Sequence, residues 1–273
     1  MKKYLIFCTI LFILIFLGIS LKFSQNHESL LRNQIVDGKR IQYNSYVKED
    51  KIIINTYKGS EETFITGINI GLGKPGYYPG DIGITKQEYL RWFLEISDMN
   101  INFIRVYTLQ SPDFYDALFE FNKYENKPLY LIQGAYVNEE LVAKEKDMWN
   151  KNVYADFNNE VKNVIDAVHG NITIKTVKGH ASGVYKKDVS AYVISYLLGI
   201  EFDGDTGTNT NANNADKSSF QGKYLFTKVG SKPFEAMLAS IGDFAVGYET
   251  ENYRCQKMIA FSNWPTSDPL NHP

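Results

Sequence analysis

At 273 residues, with 44% hydrophobic and 22% charged side chains, the chain has the composition of a globular protein able to bury a substantial core. Its formal net charge of −2 and isoelectric point near 6.1 exclude both the basic surface that nucleic acid requires and the acidic excess of a disordered chain. Partners must therefore be inferred from sites.

The N-terminus is unlike the rest. Lys2 and Lys3 precede "YLIFCTILFILIFLGISL", an uncharged span from Tyr4 to Leu21. As a helix it would cover roughly 27 Å at about 1.5 Å per residue, close to a bilayer core. Residues 1–21 are expected to be a transmembrane anchor or signal sequence. No A-x-A-like cleavage site follows, which favours an uncleaved anchor in the cell membrane, with secretion as the alternative. The two lysines keep that end cytoplasmic and place the body of the chain outside. Residues 22–50 are polar and aperiodic, as in a tether to a domain over 51–273. Cys8 lies in the apolar span and Cys255 stands alone in the exported part, so no disulfide between them is expected. His27, His169, His180 and His272 are scattered without metal-ligand spacing, and neither a metal nor another cofactor is expected.

"KIIINTYKG" and "ETFITGINIG" read as two short strands with a turn at Lys58 to Glu61. The second opens a repeating pattern of strand, loop and helix. After Thr63 to Gly71 and a Gly/Pro-rich loop comes "TKQEYLRWFLEISDMN", in which Thr85 and Glu88 form a T-x-x-E capping box and Tyr89, Phe93 and Ile96 recur at helical spacing. "INFIRVYTL" is the second strand, and "SPDFYDALFEFNKY" a helix with Ser111 as N-cap and Pro112 in its first turn. "PLYLIQGAYV" is the third strand, followed by a helix over Tyr154 to Val168 that Gly170 terminates. "AYVISYLLGIEF" is the fourth strand, "KPFEAMLASIGDFAVGYETENY" the fourth helix and "KMIAFSNWP" the fifth strand. Near-continuous apolar strands alternating with amphipathic helices predict an α/β fold with a helix-covered parallel sheet. "DGDTGTNTNANNADKSS", from Asp203 to Ser219, reads as a long loop after strand four.

In parallel α/β folds, functional groups collect at the C-terminal ends of the strands. Those ends bring Lys74, Arg105, Tyr107, Gln133, Tyr136, Glu201, Asp203, Asn263 and Trp264 towards one opening. Aromatic rings that stack on a pyranose, with amides and charges for its hydroxyls, make a sugar site. Blander roles compete at each position. Arg105 could pair with a buried carboxylate, Tyr136 and Trp264 could pack at the mouth, Gln133 and Asn263 could tie loops, and Asp203 reads as a cap that starts the loop. Lys74 sits in "GKPG", which lacks P-loop spacing, so phosphate binding is not expected.

"FITGINIG", "INFIRVYT" with its arginine and "DVSAYVISYLLGIEF" resemble the first, second and fourth strands of the TIM-barrel glycoside hydrolases of the large retaining superfamily. That superfamily includes cellulases, β-mannanases and family 2 β-galactosidase catalytic domains. The resemblance runs from Thr63 to Pro273 and implies the N-terminal part of a (β/α)8 TIM barrel, truncated after its fifth strand. About three more strand-helix units, on the order of 100 residues, would close such a barrel. It implies an exported glycoside hydrolase acting on a polysaccharide or oligosaccharide by retaining acid/base chemistry, with Glu201 as acid/base. The nucleophile would come from a seventh strand, close to Arg105. Arg105, Tyr107, Gln133, Tyr136, Asn263 and Trp264 are the expected substrate-binding residues. The superfamily carries Asn-Glu at the end of strand four, where this chain has Ile200-Glu201. The alternatives are a non-catalytic carbohydrate-binding or scaffold protein, and an open doubly wound sheet of order 2-1-3-4-5 with a non-sugar ligand.

Overall fold

The computed structural model describes residues 30–125 and 127–262, so the predicted membrane segment, Asn263 and Trp264 lie outside the described residues. Where residues 30–50 were expected to be tether, the chain folds into strands. β1 (Arg32–Val36) and β2 (Lys39–Tyr43) form a hairpin turned by Asp37 and Gly38, at φ 50° and 74°. Two consecutive positive φ values give a tight turn whose twist matches that of the strands. β3 (Ser45–Lys48), β4 (Lys51–Thr56) and β5 (Gly59–Glu62) make a three-stranded antiparallel sheet. The polar composition misled because part of the binding is through hydrogen bonds to distant backbone. Buried Asn44 donates to the carbonyls of Ala191 and Val193 at 3.0 and 2.6 Å, and Ser45 Oγ to that of Ile194 at 2.8 Å.

The parallel units then follow. β6 (Gly67–Ile70) leads to α1 (Lys86–Asp98), β7 (Phe103–Val106) to α2 (Pro112–Tyr124), and β8 (Tyr130–Ala135) to α3 (Glu139–Glu145) and α4 (Lys151–Val168). A short hairpin of β9 (Ile172–Ile174) and β10 (Gly183–Tyr185) precedes β11 (Val193–Leu198). α5 (Gly204–Asn213), α6 (Pro233–Tyr253) and β12 (Met258–Phe261) complete the described chain. The capping box at Thr85 and Glu88 forms as the spacing predicts. Ser111 adopts N-cap geometry without a side-chain cap bond, and Gly170, at φ 65°, follows the end of α4. α3 and the β9–β10 hairpin were not predicted. The Asp203 to Ser219 stretch is also not all loop, because Asp203 accepts from the Asp205 N–H and caps α5.

β6, β7, β8, β11 and β12 form one parallel sheet in that order. Sequential order excludes the 2-1-3-4-5 arrangement for these strands. One face packs Ile104, Val106, Leu131, Ala135, Tyr196 and Leu198 against the apolar stripes of the helices in the main core. The opposite face is divided along its length. At the N-terminal ends of the strands, Phe103, Tyr130 and Ile194 are sealed by Ile54 of β4, with Ile52, Ile65, Ile132 and Met258 around them. Tyr130 also donates its hydroxyl to the Asn55 carbonyl at 2.9 Å. The antiparallel sheet thus plugs one end of that face, and the functional candidates gather at the other.

Candidate functional site

A cleft of about 480 Å³ opens at the C-terminal ends of the parallel strands. Arg105 and Tyr107 line it from the end of β7, Tyr136 and Glu139 from the β8–α3 junction, and Glu201 from the segment after β11. Gly71, Leu72 and Ser262 contribute from the ends of the outer strands.

Local sequence explains how Glu201 arrives there. Gly199, at φ 98°, turns the chain out of β11 in a conformation that an L side chain rarely adopts. Ile200 and Phe202 on either side are buried, at 8% and 1% exposure, and the Phe202 ring meets that of Phe234 edge-on at 5.2 Å. Two apolar anchors therefore hold the intervening carboxylate outward. Glu201 is exposed and, among the described residues, makes no hydrogen bond or ion pair. Residues 196–204 thus contain a strand end, a glycine turn, a residue bracketed by core contacts and a helix cap.

Arg105 alternates with the buried Ile104 and Val106, so its side chain leaves the sheet on the face away from the helices. Its guanidinium lies over the Tyr107 ring, 4.5 Å from the centroid. Its Nε is buried without a hydrogen-bond partner, and no carboxylate of the described residues pairs with it. A cation held against an aromatic ring and left without an anion is ready for a ligand oxygen. Gly134 permits the close approach beside it, since a Cβ there would stand 2.1 Å from the Tyr107 carbonyl oxygen.

Tyr136 donates its hydroxyl to Glu139 in a short hydrogen bond. Burial, the bond to Glu139 and the negative charges of Glu139 and Glu201 push its phenol up to about 12. It is consequently a proton-bearing donor across the neutral range. Glu139, in the first turn of α3 after the N-cap Asn138, is a cleft carboxylate that the sequence reading missed. An acidic residue in "VNEE" after a strand was its only local signal.

Gln133 is not in the cleft. It is fully buried on the helix side of β8, where it accepts from Tyr115 at 2.9 Å and donates to the carbonyls of Thr108 and Gly134 at 3.2 and 2.8 Å. Strand alternation sends it away from the face that carries Arg105, so it braces the floor of the site. Lys74 binds both Glu88 oxygens at 2.8 Å, which fastens the β6–α1 loop to the start of α1. With Thr85 adding its own donors, Lys74 holds the Glu88 carboxyl down at about 2. Asn263 and Trp264 lie outside the described residues.

The assembled cleft offers two carboxylates, a guanidinium, a phenol and an exposed ring. No family model, curated protein or solved structure matches the chain.

Proposed function

We propose that the chain is a glycoside-hydrolase-like protein of the (β/α)8 class, carried outside the cell by its N-terminal apolar segment, that acts on a polysaccharide or oligosaccharide. The convergence of Glu201, Arg105, Tyr107 and Tyr136 on one cleft, at the carboxyl ends of sequentially ordered parallel strands, carries this reading. Glycoside hydrolysis needs one carboxyl group to protonate the leaving oxygen and a second, ionised one near the anomeric carbon. Glu201 is assigned the acid/base role. Glu139, which accepts from the Tyr136 phenol, supplies a second carboxylate in the same cleft. The Tyr107 ring offers a stacking face for a pyranose, and Arg105 offers donors to ring hydroxyls or to developing negative charge.

The test is Glu201→Gln in the full chain against a panel of soluble polysaccharides. Turnover should fall by about 10²–10⁴-fold while saccharide affinity by calorimetry stays near that of the parent, because only proton transfer is removed. Unchanged turnover ends the assignment.

A second reading is a non-catalytic carbohydrate-binding protein at the cell surface. It is favoured by the exposure of Glu201, which is unbonded among the described residues, and by Ile200 in the place where the resembling enzymes carry asparagine. Saccharide binding without hydrolysis in both the parent and Glu201→Gln would select it.

A further inference from the structure

Away from the cleft, His169, Glu249 and Cys255 converge beneath the helices. His169 caps the C-terminus of α4, Glu249 lies in the last turns of α6, and Cys255 follows α6 immediately after Arg254, which turns the chain at φ 55°. One donor atom from each lies within 4.8 Å of the other two, and His169 Nε2 stands 2.9 Å from Glu249 Oε1. The side chains of His169 and Glu249 are only 6% and 1% exposed, and Cys255 is 1% exposed.

We propose that this cluster is a structural site for a divalent transition metal of zinc-like chemistry. An imidazole nitrogen, a carboxylate oxygen and a thiolate are the donor set of borderline-soft ions, whereas calcium and magnesium take oxygen. The Glu249 carboxylate and the Cys255 thiolate supply the two negative charges that a dication requires. Binding exchanges the thiol proton, and any proton shared between His169 and Glu249, for the metal, and those protons pass to buffer.

Groups around the ligands are already arranged to orient them. Tyr196 donates to Glu249 Oε1 at 3.0 Å, and Asp188 approaches His169 Nδ1 at 3.9 Å, on the ring nitrogen left free when Nε2 binds metal. Lys257, two residues beyond Cys255, is buried and fixed by a 2.8 Å bond to the Ser190 carbonyl. The Tyr253 ring stacks on His169 at 3.9 Å and nearly parallel, so the imidazole plane is set from both sides of the ring edge and face. Metal here would join the ends of α4 and α6 to the chain entering β12. It shares no residue with the cleft.

The experiment uses the full chain purified in detergent and stripped with chelator, then titrated with Co²⁺ and separately with Zn²⁺. One equivalent of Co²⁺ should produce thiolate-to-metal charge-transfer absorption, and Zn²⁺ should displace it and raise Tm. The absorption should vanish in Cys255→Ser and persist in Cys8→Ser. Asp188→Asn, which touches no ligand atom of the metal, should weaken Zn²⁺ binding by about 10–100-fold. If Cys255→Ser does not fold by circular dichroism, loss of the absorption in folded His169→Gln carries the same conclusion. Absence of charge transfer and of a Zn²⁺-dependent Tm rise in the folded parent overturns the proposal. So does absorption that survives Cys255→Ser or disappears with Cys8→Ser.

Discussion

The cleft at the mouth of the parallel sheet and the cluster beneath α4 and α6 are made of similar side chains in opposite states. In the cleft, Glu201 is exposed and unbonded among the described residues, and the Arg105 Nε is buried without a partner. In the cluster, Glu249 is 1% exposed and accepts from both His169 and Tyr196, while Lys257 is buried on the Ser190 carbonyl. Buried charge is tolerated only with partners, and the Glu249 carboxylate has them within the folded chain. A group left unsatisfied near a cleft instead costs stability that a ligand can return. The difference separates residues that hold the fold from residues available for chemistry.

Substitutions should therefore divide between the two regions. Glu201→Gln should produce the largest effect, the about 10²–10⁴-fold loss of turnover already described, with a change in unfolding free energy of only about 0.5 kcal/mol or less. Equal losses of stability and activity would erase the distinction. Glu249→Ala should do the reverse, lowering stability in urea titrations by about 1–3 kcal/mol because the buried imidazole of His169 and phenol of Tyr196 lose their shared acceptor. A loss under about 1 kcal/mol would mean that the cluster is not under constraint.

Gly134→Ala tests the floor of the cleft, where an added Cβ would meet the Tyr107 carbonyl at 2.1 Å. Overpacking of this kind should cost about 1–3 kcal/mol and shift Tyr107, weakening saccharide binding as well as stability. Wild-type affinity in the folded variant would show that the ring is not a contact. The smallest effect concerns the loop at the rim. The folded pKa of Glu88 is lowered to about 2 from its ordinary 4.5, so its contribution is present above the ordinary range and lost as pH falls towards about 2. Glu88→Gln should flatten the dependence of Tm on pH across that acid window and leave it unchanged near neutrality. A parallel acid slope in the variant would assign the effect to other groups.

Much of the cleft was legible because parallel strands carry their C-terminal residues to one side. Arg105, Tyr107, Tyr136 and Glu201 could be grouped without knowing a single contact. Gln133 could not be placed by the same logic, since a strand apolar on both faces does not disclose which way one amide points. Glu139 was hidden because α3 has seven residues, too few for a periodic signal. The three residues of the buried cluster were equally invisible. His169 and Glu249 are 80 positions apart, and spacing rules recognise ligands only when they are local.

By itself, the sequence determined the alternation of strands and helices, the capping of α1 and the end at which Glu201 would emerge, because these depend on side-chain periodicity and on backbone preferences a few residues wide. Tertiary structure decided the rest. Asn44 and Ser45 make an apparent tether into a plug by bonding a strand nearly 150 positions away, and the burial of Ile200 and Phe202 is what turns Glu201 towards the cleft. Those outcomes depend on the desolvation and pairing of groups from distant segments, which no local pattern records.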